Sequence, residues 1–163
     1  MKMPTFFTSC AAAAVLALPS WGATPVRDQI ETIAFAAMTT DNDAGKIQSY
    51  NSDGLDWMAQ GGQLMVLRDD LNHLGQQIQQ LQSEALPTGE QRLVRRVARE
   101  VNLISVYTEN AITFGKMHRD DLFNPVYTQH ISRIYSNAEQ LNHDAKAVLR
   151  FANGVEGNAR PGM

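Results

Sequence analysis

Beyond its first 22 residues the chain has no cysteine, the single one of its 163 residues being Cys10. Disulfides, cysteine nucleophiles and thiolate metal sites are therefore excluded from that part, and stability has to come from packing. The chain also lacks any apolar run near the roughly 20 residues that a membrane-spanning helix needs. It has no large excess of charge: the formal net charge is −3, which gives no global electrostatic reason to expect nucleic acid as a partner. Signatures of chemistry are missing too. There is no Gly-x-Ser-x-Gly, no glycine-rich phosphate loop, no Cys-x-x-Cys-His for covalent haem and no Glu-x-x-His of the di-iron bundles. No catalytic residue is assigned, and the chain reads as a non-enzyme.

What is present is ordinary globular material, 44% apolar and 19% charged, long enough for one domain with a real core. The first residues stand apart. Lys2 precedes a compact apolar run from Cys10 to Leu18, followed by Pro19 and the small-residue stretch Ser20-Trp21-Gly22-Ala23. This is the layout of a secretory signal peptide over residues 1–22, cut after Gly22. A cut after Ala23 would put bulky Trp21 in a small-residue position. Lipid attachment at Cys10 is not expected, because there the apolar run follows the cysteine instead of preceding it. The expected location is periplasmic or secreted, with no membrane-spanning segment in the mature chain.

Residues 23–154 carry helical periodicity throughout. Thr24-Pro25 offers a cap and a first helical residue, and Val26, Ile30, Ile33 and Ala37 line one face of a short N-terminal helix. Thr39 to Gly54 is polar, and its Asp-Asn-Asp and Asn-Ser-Asp-Gly stretches read as turns. Neither places a glycine sixth and a glutamate twelfth as a calcium loop requires. From about Leu55 to Leu86, Leu64, Leu67, Leu71, Leu74, Ile78, Leu81 and Ala85 form a heptad seam, with glutamines on the outer faces. Pro87-Thr88-Gly89 reverses the chain, and Thr88 with Gln91 has capping-box spacing.

The third helix, about 90–119, carries Leu93, Val94, Val97, Val101, Ile104, Ala111 and Phe114, widened by Tyr107 and Ile112. So wide a stripe predicts a central helix with two neighbours. Asn124-Pro125 opens the fourth, about 125–153, whose seam is Tyr127, Ile131, Ile134, Ala138, Leu141, Ala145, Val148 and Ala152, with Gly154 as its cap. Residues 155–163 read as a flexible tail. The expected fold is all-α, an antiparallel bundle of three long helices plus a short N-terminal helix.

Histidines could bring ligand chemistry: Asp70-x-x-His73 and Glu139-x-x-x-His143 each put carboxylate and imidazole on one helix face. His118, with Met58, Met65 or Met117, could be imagined at a haem. Metal or haem nevertheless needs two or more such groups converging in the core, and the seams offer few acids, so no metal and no cofactor is assigned. Adjacent acids Asp69-Asp70 and Asp120-Asp121 diverge by about 100° on a helix and read as surface charge.

One charge pattern stands out. Arg92, Arg95, Arg96 and Arg99 share a face of the third helix, and the turn at Pro87 sets them opposite glutamines, which leaves Glu90 and Glu100 as their local acids. They suit a carboxylate or phosphate partner. The competing role is a solvated face paired with acids of the fourth helix such as Glu139 or Asp144. We assign this row as the partner-binding site, with another protein or an acidic envelope component as partner. Functionally the chain reads as an interaction or accessory module of the kind found in envelope or secretion assemblies. A ligand-binding bundle for metal, haem or a small molecule is the alternative.

Overall fold

The computed structural model describes residues 26–158. The leader, its cleavage site, the Thr24-Pro25 start and residues 159–163 lie outside the described residues. Four helices account for almost all of the rest: α1 (Val26–Ser52), α2 (Trp57–Gln82), α3 (Thr88–Met117) and α4 (Pro125–Asn158). No strand occurs among the described residues, and no described helix is long and apolar enough to cross a membrane. α1 packs on α2 and α4, and α3 packs on the same two, so the helices form a bundle of four corners around one core.

The first helix departs most from the sequence expectation. It is as long as its neighbours and runs straight through the polar stretch expected to turn. Ile30, Ile33, Ala37, Thr40, Ala44, Ile47 and Asn51 are all buried and continue one three-four row from end to end. Thr40 and Asn51 in the row are polar, and buried Asp43 lies beside it, which masked the row in sequence. Thr40 satisfies its hydroxyl on the Ala36 carbonyl, and Asp43 pairs with Lys46 at 2.7 Å. Packing of the apolar members thus overrides the turn preference of Asp, Asn and Gly. The helix ends only at Ser52, just ahead of Gly54, the one described residue with a positive φ, +69°. Phe123 closes over that glycine, leaving no room for a side chain.

α2 begins two residues later than expected, at Trp57, because the Asp56 carboxylate caps it, accepting the Ala59 N–H at 3.0 Å. Its seam includes Trp57 and Gln60 before Leu64, and it ends at Leu81: Ala85 is exposed, whereas Leu86 in the connection is buried. The helix is unbroken at Gly61-Gly62, since the Trp57 ring lies against Gly61 and against Gly115 of α3. Those two glycines are needed there for close approach. The Thr88–Gln91 capping box does not form. Thr88 is already helical, and the Gln91 amide reaches back instead to the Leu86 carbonyl at 2.8 Å.

α3 is not a central helix. It has two neighbours, as every helix of the bundle does. Its buried row runs Glu90, Val94, Val97, Val101, Ile104, Thr108, Ala111 and Gly115. The α4 row runs as expected from Tyr127 to Val148, and Asn124 caps it, its Oδ1 accepting the Val126 N–H at 3.0 Å. Gly154 does not terminate α4, which extends to Asn158.

Candidate functional site

The four arginines sit in the first half of α3, and all four are exposed to solvent. Helical spacing keeps them on the outer side of α3, but their surroundings differ. Arg96 leans toward α4, where its guanidinium donates to Asp144 Oδ1 at 2.6 Å. Only 1% of the Asp144 side chain is exposed, against 48% for Arg96. Gln140 donates to the same oxygen at 3.1 Å, and His143 Nδ1 lies 3.4 Å from it. Arg99 folds onto its neighbour Glu100, also buried, at 2.6 Å. That hydrogen bond, together with the carboxylate's charge, holds the Arg99 guanidinium above its ordinary value. Arg92 and Arg95 make no ion pair with any described residue.

The row is therefore split: two arginines answer buried acids at the α3–α4 seam, and two are uncommitted. Asp144 as a partner was legible, because the sequence offers it on the facing helix. Glu100 was legible as a nearby acid, but its burial was not, since a charged residue between Arg99 and Val101 reads as surface until the helix rotation is known.

Arg95 stands at the mouth of a groove between α2 and α3. With Gln82, Leu86, Gln91 and Val94 it lines one end, of about 410 Å³. From Gln82 the groove continues as a second stretch of about 610 Å³. Its rims there are Asn72, Gln76 and Gln79 on α2 and Asn102 and Ser105 on α3, with Leu71, Ile78 and Val101 at the floor. No acid lines either stretch.

The histidines do not converge. His73 borders a groove between α2 and α1 beside Asp70 and Phe35. His118 stacks on Phe114 at the end of α3, with ring centroids 4.4 Å apart. His130 of α4 faces Tyr107 of α3, and burial lowers its pKa. His143 is mostly exposed beside Asp144. Among the described residues no three or more His, Cys, Asp or Glu side chains gather where a metal could be held. The acids Asp69 and Asp70 lie on α2, where Asp69 pairs with Arg68 at 2.9 Å.

The pairing of Tyr127 with Gln60 was not legible in sequence either. Tyr127, fully buried at the start of α4, donates its hydroxyl to Gln60 Oε1 of α2 at 2.9 Å, while the Gln60 amide donates to the Leu55 carbonyl at 2.6 Å. Burial raises the Tyr127 pKa far above its usual value. Both residues are on seam positions and serve as a clasp across the core, not as an open site. No family model, curated protein or solved structure matches the chain.

Proposed function

We propose that the protein is an exported, non-enzymatic helical bundle that works as an interaction module, holding an acidic partner on the face of α3 that carries Arg92, Arg95, Arg96 and Arg99. In this reading the leader over residues 1–22 directs the chain to the periplasm or outside the cell, and the helices alternate in direction. Support for the alternation comes from the short connections and from contacts between opposite helix ends: Trp57 with Gly115, Phe151 with Gly89 and Tyr135 with Gly45.

The observation that carries the reading is the pair Arg92 and Arg95, two exposed guanidiniums with no acid partner among the described residues, next to a groove whose lining holds no acid either. An uncompensated arginine fork on a rigid helix attracts carboxylate or phosphate groups. Arg96 and Arg99 have part of their charge spent on Asp144 and Glu100, and contribute mainly to the local positive field.

The test is capture from an envelope extract on the immobilised protein, beside the double variant Arg92→Gln/Arg95→Gln. Wild type is expected to retain a partner at low salt and release it as ionic strength rises, while the variant retains little. Equal retention by both proteins would remove the arginines from the site.

A further inference from the structure

Five amide side chains on the rims of the α2–α3 groove are chemically unoccupied. Asn72, Gln76, Gln79, Gln82 and Asn102 are exposed, and none hydrogen-bonds to another described residue. A further amide at the Gln82 end, Gln91, is in use, donating to the Leu86 carbonyl at 2.8 Å, so the open amides begin at Gln82 and run along the rims to Asn72. A free primary amide carries a carbonyl acceptor and N–H donors side by side, so it can pair with both the N–H and the C=O of a peptide backbone. Between the rims lies an apolar floor of Leu71, Ile78 and Val101, and Gly75 leaves the space above it open. At one end stands Arg95, with Arg92 one turn before it and neither neutralised.

We propose that this groove binds an extended peptide segment of a partner protein, its backbone paired by the rim amides and an acidic side chain or terminal carboxylate held by Arg95 and Arg92. The inference rests on the arginine face proposed above and names its occupant. Several features favour peptide over sugar. The groove has no aromatic ring on which a sugar could stack, whereas an apolar floor suits alternate side chains of an extended chain. Length also fits. From Asn72 to Gln82 the helix rises about 15 Å, which spans about four or five residues of extended chain. Charge is complementary as well: no acid in the groove repels a carboxylate, and two cations stand at its end.

The probe is a positional-scanning library of fluorescent hexapeptides titrated onto the purified protein, with an alginate oligosaccharide as a second, non-peptide polyanion. The expected result is selection of Asp or Glu at one position, or of a free C-terminus, with binding that weakens in salt. Arg92→Gln/Arg95→Gln should abolish that selection. Gln79→Ala/Asn102→Ala, which leaves the arginines in place, should weaken the selected peptides about tenfold through lost backbone pairing. Circular dichroism of both variants should match wild type, since all four residues are exposed. If alginate binds, depends on Arg92 and Arg95, and ignores Gln79→Ala/Asn102→Ala while no peptide is selected, the peptide groove is overturned and the arginine face stands. If neither probe binds, the groove and the arginine face fall together.

Discussion

Asp144 is a carboxylate with 1% of its side chain exposed, so its charge must be met within the protein. Arg96 and Gln140 meet one oxygen, and Oδ2 has no partner. Removing the guanidinium would leave a buried charge with one amide. Arg96→Gln is therefore expected to cost about 1–2 kcal/mol, trimmed because half of Arg96 is in water, whereas Arg92→Gln should stay within about 0.5 kcal/mol of wild type. Urea titrations of the two variants make the comparison. Glu90 gives a second residue-scale test. It is 6% exposed on the core row of α3, and burial raises its pKa from 4.5. A raised carboxyl contributes stability that is complete below the unfolded value and is lost as pH rises through the folded one. Glu90→Gln should therefore match wild type near pH 4 and become the more stable protein toward neutrality, as melting temperatures across that range would register.

At the scale of the element, α1 shows how few polar residues suffice to hide a seam. Thr40, Asp43 and Asn51 interrupt the apolar pattern, yet Ala44 and Ile47 are fully buried and keep the helix docked on α2 and α4. Ile47→Ala should cost about 2–5 kcal/mol, as a buried isoleucine in a packed core does. A loss below about 0.5 kcal/mol would mean that the second half of α1 is peripheral. The other seams were legible because apolar residues fill them without a gap, from Leu64 to Leu81 and from Tyr127 to Val148. Helix ends were less legible. Thr88 has the chemistry of a cap but lies inside α3, while Asp56 and Asn124 cap as short polar side chains do.

For the whole molecule, α1 completes the ring of four helices, closing α2 against α4. A chain beginning at Asp53 would leave the inner rows of both those helices facing water. Such a truncation is expected to lose cooperative thermal unfolding, followed by circular dichroism, instead of melting as a smaller bundle. The proposed export has its own check: N-terminal sequencing of periplasmic material should begin at Ala23, or at Thr24 if the cut follows Ala23. Material beginning at Met1 would remove the leader from the reading.

Periodicity by itself determined that the chain is helical, where three of its four long helices run, and most of the apolar residues that those three turn inward. Those are consequences of side-chain spacing, and spacing is written in the sequence. Which polar residues share the seams was decided by tertiary packing, because Thr40, Asn51, Gln60, Glu90 and Thr108 are buried only once neighbouring rows lock their helices in place. The same packing divided the arginines. Four positions on one helix face look alike in sequence, but the rotation of α3 between α2 and α4 turns Arg96 toward a buried carboxylate and leaves Arg95 beside a groove of free amides.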